Sequence, residues 1–346
     1  MPSCPGEPTP GEPQKVRTIG DLARLAGVSP ATVSRALAGN RLVNATTSQR
    51  VRQLAEAHAF KPSAVARNLR IRRRGAIAVV ICLGHERGQH LSDPFFMTMI
   101  SHLADELTDR GFQLMLSRVV PDSDDWLDDM IAADPVDGFI LIGQSDQLAA
   151  LERAAAGYLP LVAWGAHGAC QRHCSVGSDN VEGGRLATRH LIERGCRRIA
   201  FLGNPRSVEI AHRLAGAREV VRAQGGRVSL IETPIHLSTT LSGHDIAAFL
   251  ASADALPDGM FAATDSIAVN ALQVLTGRGV AVPGDVKLVG YDDLPIAAAS
   301  VPALTTVRQD FAQGARMLVQ RLFDRIAGER NESVVLPAEL VVRATS

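Results

Sequence analysis

The residues with the clearest chemical purpose are arginines and lysines gathered near the amino terminus. Residues 15–74 hold thirteen Lys and Arg residues but only two acidic ones, Asp21 and Glu56, although the whole chain has a formal net charge of zero. A local charge of +11 is typical of a segment that contacts nucleic-acid phosphates. Residues 75–346 carry the opposite charge, so we predict that one end of the chain binds DNA while the larger part stays off it.

Motifs for enzymatic chemistry are missing from the sequence. No Gly-x-Gly-x-x-Gly follows a predicted strand, and no phosphate-binding Gly-Lys-Ser/Thr occurs. The segment from Gly143 to Gln147 lacks the second glycine of a nucleophile elbow. We therefore predict that the protein is not an enzyme and needs no cofactor.

Two clusters of potential metal ligands have spacings that fit no common metal site. One is His167, Cys170, His173 and Cys174, which we interpret as a partly exposed loop. The other is an acidic run that lacks the glycine of a calcium loop and is interpreted as a solvated loop opening a helix: Asp122, Asp124, Asp125, Asp128 and Asp129. We predict no bound metal.

The basic segment has the sequence pattern of a helix-turn-helix. Thr18 can cap a helix over residues 19–26, and a turn at Gly27 leads to Ser29, which can cap a second helix over residues 30–37. A third helix is predicted from the cap Asn44 to near Ala59. Inward packing of the apolar residues would leave one face of the second helix open to a DNA major groove: Ser29, Pro30, Ala31, Ser34 and Arg35.

Residues 63–70 could form one or two helical turns but are too short to be stable alone. From Gly75 onward, apolar strands alternate with amphipathic helices, which is the pattern of a parallel sheet. About 270 residues of this pattern exceed one ordinary domain. The expected fold class is thus α/β: an all-α helix-turn-helix headpiece with a hinge helix, followed by two lobes of doubly wound parallel sheet.

Residues 17–37, which include Val28-Ser-Pro-Ala-Thr-Val-Ser-Arg35, resemble the headpiece of the lactose/galactose repressor (LacI/GalR) family, and residues 61–69 resemble its hinge. The resemblance implies that Ser29, Pro30, Ala31 and Arg35 read base edges and that Leu69 is a minor-groove wedge. The full set of residues expected at DNA is Thr18, Ser29, Pro30, Ala31, Thr32, Ser34, Arg35, Asn44, Ser63, Arg67, Leu69 and Arg70. Two alternatives stay open, since Arg35 could contact phosphate and Leu69 could simply pack against a second subunit.

The resemblance extends through the core, for example at residues 135–141, 179–184, 264–268, 290–293 and 304–310. In that family the core is similar to sugar-binding periplasmic proteins, and the chain crosses between its two lobes three times. The implied domains are a disordered tail over 1–14, a headpiece over 15–61, a hinge helix and linker over 62–74, a first lobe over 75–178 and 309–330, and a second lobe over 179–308 and 331–346.

A small-molecule effector is expected in the cleft between the lobes, at the ends of strands. The resemblance places six residues there: Phe95, Phe96, Trp164, Arg213, Thr264 and Asp292. Arg213 and Asp292 could together hold vicinal hydroxyls or a purine edge. The alternatives are an interlobe salt bridge for this pair, a solvated Arg213, a core role for Phe96 and a buried strand position for Trp164.

The chain departs from the family pattern at two cleft positions. Thr264 stands where many relatives have Asn, and Gly165 stands where many have Asp. Two polar contacts expected of the family are therefore shortened or missing. Trp164, next to Gly165, could instead offer a flat face to a sugar ring.

Residues 1–14 contain five prolines and no apolar run, so we expect a disordered tail, no signal peptide and no membrane anchor. The five cysteines show no disulfide framework, which favours the cytoplasm. We expect a homodimeric repressor that binds a near-palindromic DNA operator and responds to a small-molecule effector, with a sugar preferred. The alternatives are a purine-dependent corepressor protein, or a sugar-binding protein or enzyme that carries a DNA module.

Overall fold

The computed structural model describes residues 19–37, 43–58, 60, 74–83, 88–133, 135–144, 146–168 and 171–346. The chain divides into two compact units, Met1–Arg74 and Gly75–Ser346. The predicted tail over 1–14 and, apart from Arg74, the predicted hinge over 62–74 lie outside the described residues. Within these ranges, no helix has the length and apolar character needed to cross a membrane.

Three helices form the described part of the amino-terminal unit: α1 (Ile19–Ala26), α2 (Pro30–Leu37) and α3 (Ala45–Ala57). α2 begins where the Ser29 hydroxyl accepts a 3.1 Å hydrogen bond from the backbone N–H of Thr32. α3 begins where Asn44 Oδ1 accepts one of 3.0 Å from the N–H of Thr46. Both caps satisfy backbone donors that a helix start leaves unpaired, and both match the sequence prediction.

Leu22, Val33 and Val51 contribute one fully buried side chain from each helix of this unit. They pack with Ala36, whose burial was not predicted, and with Phe60 after α3. This small core fixes α1 against α2, which confirms the predicted helix-turn-helix and leaves the outer face of α2 in solvent.

The second unit contains two six-stranded sheets. The first has the strand order β11-β5-β4-β3-β1-β2, and all its strands are parallel. Its strands are β1 (Ala76–Cys82), β2 (Gln113–Val119), β3 (Gly138–Ile142), β4 (Leu161–Trp164), β5 (Cys174–Ser178) and β11 (Val334–Leu336). Its helices are α4 (Pro94–Asp109), α5 (Trp126–Ala133), α6 (Leu148–Gly157) and α12 (Phe311–Ile326).

Helices cover both faces of the first sheet. Ile77, Val79 and Ile81 of β1 belong to the core formed with α4 and α12. Ala78 and Val80 belong to the opposite core, formed with α5 and α6. A strand buried on both faces reads as a continuous apolar run, which is why β1 could be predicted from sequence.

The second sheet has the order β12-β10-β9-β8-β6-β7, and only β12 is antiparallel to its neighbour. Its strands are β6 (Arg198–Leu202), β7 (Ser229–Thr233), β8 (Gly259–Ala262), β9 (Lys287–Asp292), β10 (Thr305–Arg308) and β12 (Glu339–Val341). Its helices are α7 (Asn180–Glu193), α8 (Val208–Ala223), α9 (Thr239–Ser252), α10 (Asp265–Gly277) and α11 (Pro295–Ala299). The two-lobed α/β core predicted from sequence is confirmed.

Glycines bring α7 and α8 into close contact. A Cβ at Gly184 would overlap the carbonyl oxygen of Arg213, and a Cβ at Gly216 would overlap that of Val181. The two helix backbones therefore touch with no side chain between them. This contact places Arg213 of α8 beside Asn180 at the start of α7.

The chain crosses between the lobes after β5, between β10 and α12, and between β11 and β12. The predicted boundary at residue 331 is wrong, because β11 (Val334–Leu336) pairs with β5 and so extends the first sheet rather than the second. α12 packs on the first sheet, and the chain that leaves it runs along the open edge of β5 before crossing. A strand of three residues gives too little pattern to assign it to a lobe from sequence.

The predicted partly exposed loop around His173 and Cys174 is also wrong for these two residues. Both are buried, and Cys174 begins β5, paired with Val162 of β4. His167 is exposed, and Cys170 lies outside the described residues. The acidic run from Asp122 to Asp129 does form an exposed turn that opens α5, as predicted.

Candidate functional site

The outer face of α2 in the helix-turn-helix is the first candidate site. Ser29, Pro30, Ala31 and Arg35 are exposed there, while Thr32 and Ser34 are partly covered. Asn44 is exposed at the start of α3. Pro30 offers no backbone donor and Ala31 only a methyl group, so Arg35 is the strongest hydrogen-bond donor on this face.

Five residues expected at DNA lie outside the described residues: Thr18, Ser63, Arg67, Leu69 and Arg70. The predicted minor-groove wedge therefore stays a prediction. The hydroxyls of Ser29 and Thr32 are 2.8 Å apart, and that of Ser29 also caps α2. Because Ser29 fixes the start of α2, it positions the helix in addition to being available to a base.

A cavity between the two lobes is the second candidate site. The first lobe reaches it through the ends of β1, β3 and β4 and through the start of α4. The second lobe reaches it through the start of α8, Thr264 and the end of β9. All six residues expected to bind an effector line this one cavity: Phe95, Phe96, Trp164, Arg213, Thr264 and Asp292.

Arg213 is 95% buried and held by several contacts, so a solvated role is wrong. Its Nε donates to Asn180 Oδ1 at 2.9 Å, and its Nη1 donates to the backbone oxygen of Ala263. The guanidinium lies 3.7 Å above the ring centre of Tyr291. These contacts orient a planar cation at the cavity wall before any ligand arrives.

Asp292 is the last residue of β9, and its burial and backbone conformation are unusual for an acidic residue. It is 1% exposed and has a φ of 119°, a backbone conformation that costs a non-glycine residue roughly 1–3 kcal/mol. Oδ1 accepts a 2.7 Å hydrogen bond from Gln309 Nε2 and lies 3.8 Å from Arg213 Nη1. Oδ2 is buried and has no hydrogen-bond partner among the described residues. Asp292 therefore keeps one acceptor oxygen free for a ligand donor.

Burial raises the pKa of Asp292 to about 7, although the nearby charge of Arg213 opposes the shift. Asp93, which lines the same cavity from the first lobe, raises this pKa further. Arg213 and Asp292 both belong to the second lobe, so they do not form the interlobe salt bridge weighed as an alternative. Their separation leaves them available to a shared ligand.

Asp265 lies directly behind Asp292 and was not anticipated as a buried acid. Its Oδ1 accepts a hydrogen bond of 2.6 Å from Thr306, and its Oδ2 accepts one of 2.8 Å from the N–H of Leu294. Burial raises its pKa well above the ordinary value, with Asp292 as the next cause. Asp265 therefore ties together α10, β10 and the turn that follows β9.

Asp93 is a cavity residue that the sequence prediction missed. Its Oδ1 caps α4 by accepting from the N–H of Phe95 at 3.0 Å, and its Oδ2 accepts from Gln89 Nε2 at 2.9 Å. Burial raises the pKa of Asp93. The signal in the sequence was an acid directly before Pro94, a typical helix start, which suggested a cap rather than a ligand contact.

Glu209 is a second missed cavity residue, and its contacts join the lobes. From α8 it accepts a 3.4 Å hydrogen bond from the N–H of Ala166 in the first lobe and one of 2.5 Å from Ser207. A Cβ at Gly165 would lie 2.7 Å from Glu209 Oε1. The carboxylate of Glu209 thus occupies the space that a side chain at position 165 would need.

Aromatic residues form the apolar wall of the cavity. Phe95 meets Phe96 and Phe311 edge to face, with ring centres 5.4 and 5.7 Å apart. Trp164 is 97% buried and packs against Gly314 of α12, where a larger residue would clash. Phe96 and Trp164 belong to the core of the first lobe and also border the cavity, so their core role is confirmed and their contact with an effector stays a prediction.

Thr264 uses its hydroxyl structurally. Its Oγ1 accepts a 3.2 Å hydrogen bond from the N–H of Ile267 and so caps α10. The hydroxyl proton remains available to the cavity. In the part of the chain that the structure describes, no group of three His, Cys, Asp or Glu residues has the arrangement of a metal site.

Comparisons with known proteins agree with this geometry. Residues 18–63 match the model for bacterial regulatory proteins of the lacI family, and residues 188–346 match that for a periplasmic binding protein-like domain. The HTH-type transcriptional regulator CelR of Thermobifida fusca is 34% identical, over 94% of this chain and 97% of its own. The ribose operon repressor of Halalkalibacterium halodurans is 30% identical, over 95% and 97%.

Two solved structures are similar over nearly the whole chain. A CelR–cellobiose complex is 31% identical, with a TM-score of 0.68 and coverage of 95% of this chain and 99% of that one. A lac repressor dimer bound to operator and the anti-inducer ONPF is 26% identical, with a TM-score of 0.73 and coverage of 95% and 98%. With a regulator of this kind 34% identical over nearly its whole length, the chain belongs to the LacI family of bacterial transcriptional regulators.

Proposed function

We propose that the protein is a repressor whose operator binding is controlled by an uncharged sugar in the interlobe cavity. The observation that carries this proposal is the set of charged cavity residues: Asp93, Glu209 and Asp292 against one cation, Arg213. Sugar hydroxyls can donate to carboxyl oxygens and accept from a guanidinium, whereas a phosphate or carboxylate would find one cation, Arg213, among the charged residues that line the cavity. The free oxygen of Asp292 supplies one acceptor directly.

The apolar wall supports the same ligand class. The C–H face of a sugar packs well on aromatic side chains, and Phe95, Phe96 and Trp164 line one side of the cavity opposite the second lobe's polar groups. Among the relatives, CelR is known with cellobiose, and another is named a ribose operon repressor.

DNA binding would use the outer face of α2, with Arg35 as the main base-reading side chain and the hinge residues completing the contact. We infer a homodimer, since a near-palindromic operator needs two headpieces and a lac repressor relative forms a dimer on its operator. Such a protein acts in the cytoplasm, where its operator lies. The cavity binds its ligand without turnover.

Thermal unfolding of the full chain against four probes tests the effector class: cellobiose, ribose, hypoxanthine and glucose 6-phosphate. A ligand at 100 times its Kd stabilises the native state by about 2.7 kcal/mol, a measurable shift. We expect a shift with an uncharged sugar that Arg213→Ala abolishes and that Arg222→Ala retains, because Arg222 is exposed near the end of the same helix.

A shift with hypoxanthine alone would favour the purine corepressor alternative, since several relatives are named PurR repressors. A response to glucose 6-phosphate but not to cellobiose or ribose would contradict the argument from charge. Loss of the response in Arg222→Ala would show that any change on α8 disturbs the protein, and the cavity assignment would fail.

A further inference from the structure

A second cavity lies at the opposite edge of the first sheet, where its strands begin. Leu159 stands just before β4, Arg172 just before β5 and Asn331 just before β11, while Arg325 lies in the last turn of α12. Together with Arg330 these residues line the second cavity. The interlobe cavity reaches the other end of β4, at Trp164, and shares no lining residue with the second cavity, so the two cavities are distinct.

The charge of this second cavity is entirely positive. Its charged lining residues are Arg172, Arg325 and Arg330, and none of them forms an ion pair with any residue that the structure describes. The nearby carboxylates are already engaged. Glu152 accepts from the backbone N–H of Arg172 and from His173, and Asp324 accepts from Gln320 and Asn331.

Arg325 is the unusual member of this set, because it is 95% buried. Its Nε donates to the carbonyl of Leu159 at 2.7 Å, while its two terminal nitrogens make no hydrogen bond with the described residues. Burial lowers the pKa of Arg325; Cys174 opposes this shift, and the charge of Arg330 adds to it. Arg325 borders the cavity without a counter-ion, so an anion bound there would stabilise the native state.

A purely structural role accounts for only part of this arrangement. An arginine near a helix C-terminus interacts favourably with the helix dipole, and the Leu159 contact anchors the turn before β4. That role uses one of the five N–H donors of Arg325. It also gives no reason for Arg172 and Arg330 to border the same space without acids between them.

We propose that Arg172, Arg325 and Arg330 form a binding site for a small oxyanion, namely a phosphate group, either free or carried by a phosphorylated metabolite. A guanidinium fork pairs two N–H donors with two phosphate oxygens, and three arginines supply more than enough positive charge to balance a dianion. The site is independent of the sugar cavity and would give the protein a second input of opposite charge preference.

The test uses the full chain with inorganic phosphate and with glycerol 1-phosphate, by titration calorimetry and thermal unfolding. Sodium chloride is adjusted to keep the ionic strength constant. We expect phosphate to raise the Tm beyond the effect of chloride. The double variant Arg172→Ala/Arg330→Ala should weaken phosphate binding by at least about tenfold, since both exposed arginines donate charge-assisted hydrogen bonds. Arg222→Ala, an exposed arginine of the second lobe, should bind as the wild type does.

Arg325→Met adds a readout that does not depend on affinity. Because the variant loses the guanidinium and its hydrogen bond to Leu159, its Tm in phosphate-free buffer should fall below that of the wild type, and phosphate should no longer raise it. Tighter binding of glycerol 1-phosphate than of phosphate would assign the site to a phosphorylated metabolite, and equal binding would assign it to free phosphate.

Three results would overturn the proposal. They are the absence of any phosphate effect beyond that of chloride, equal phosphate binding by the wild type and the double arginine variant, and equal losses in the double variant and in Arg222→Ala. Asp292→Ala alters the interlobe cavity and should leave phosphate binding unchanged. This control separates a failure of the phosphate site from a failure of the proposed sugar site.

Discussion

Asp292 combines a positive φ, nearly complete burial and an unpaired oxygen at one position. Each of these features is unfavourable for the folded state taken alone. Their combination at the wall of a cavity is the pattern of a binding residue held in place by its surroundings. Arg213, Gln309 and Tyr291 form those surroundings, and they explain why the strained backbone persists.

The raised pKa of Asp292 makes the stability of the protein depend on pH. A carboxyl group whose pKa is about 7 in the folded state and 3.8 otherwise binds more protons when folded. The contribution of Asp292 to the free energy of unfolding therefore falls as pH rises between about 4 and 7, by up to about 1.4 kcal/mol per pH unit. Denaturant titrations should show the wild type losing stability relative to Asp292→Asn across this range. Parallel curves for the two proteins would mean that Asp292 is ionised throughout.

Arg35 is the residue on which sequence-specific contact by α2 depends most. Arg35→Ala should weaken binding to the operator by about 1–3 kcal/mol and relax the preference at one base position. Fluorescence anisotropy with a set of single-base operator variants measures both effects. The control is Arg52→Ala, an exposed arginine on α3. If Arg35→Ala weakens all sequences equally, Arg35 contacts phosphate instead.

Some of the residues that line the interlobe cavity could be predicted from the sequence, and others could not. Family motifs pointed to Arg213 and Asp292, and both line the cavity. The sequence prediction did not include Glu209 and Asp93 among the cavity residues, because an acid at a helix cap or in a first turn looks the same in sequence whether or not a cavity faces it. The hydrogen bond from Ala166 to Glu209 joins residues 43 positions apart and depends on how the lobes close.

At the scale of elements, burial on both faces made the strands predictable. β3 and β4 are continuous apolar runs that are buried along their whole length, which is the pattern the sequence shows for a strand covered on both faces. α9 has no continuous apolar stripe that would mark it in the sequence: among its described side chains, the well-buried ones are Ser242, Ile246 and Leu250. β11 and β12 have three residues each, which is too short for a recognisable sequence pattern. They are identified as strands by their pairing with β5 and β10, respectively.

The contact between α7 and α8 is the packing on which the cavity most depends, because α8 carries Arg213 and Glu209. Gly216→Ala would drive a methyl group into the carbonyl of Val181. We expect it to cost about 1–3 kcal/mol or more in the free energy of unfolding and to weaken effector binding, because α8 must move away. Denaturant unfolding and effector titration measure these two effects.

Gly243→Ala is the matched control for that prediction. Gly243 is also a helix glycine, in α9, but a Cβ there meets nothing within 4 Å. The substitution should stabilise the protein by up to about 1 kcal/mol, as expected for a helix interior. Similar losses in both variants would point to a general intolerance of α-helical glycine replacement rather than to helix contact.

At the scale of the whole molecule, the proposed DNA-binding residues and the proposed effector cavity belong to different compact units of the chain. The positive charge is concentrated before residue 75 and the negative charge after it. Three chain crossings join the lobes of the core, so a ligand that touches both lobes changes how they close. The hydrogen bond from Ala166 to Glu209 joins the two lobes, so opening the cleft would break it.

If effector and operator act on one equilibrium, their effects on each other must be equal. The factor by which saturating effector changes operator affinity should match the factor by which saturating operator changes effector affinity, within a range of about 5–150-fold. Both follow from anisotropy and calorimetry on the same protein. Arg213→Ala should remove the effector's influence and leave operator affinity without effector unchanged, since Arg213 lies in the core unit. Unequal factors would mean that the two ligands report on different conformational changes, and a change of basal operator affinity would place Arg213 in the coupling itself rather than in ligand binding.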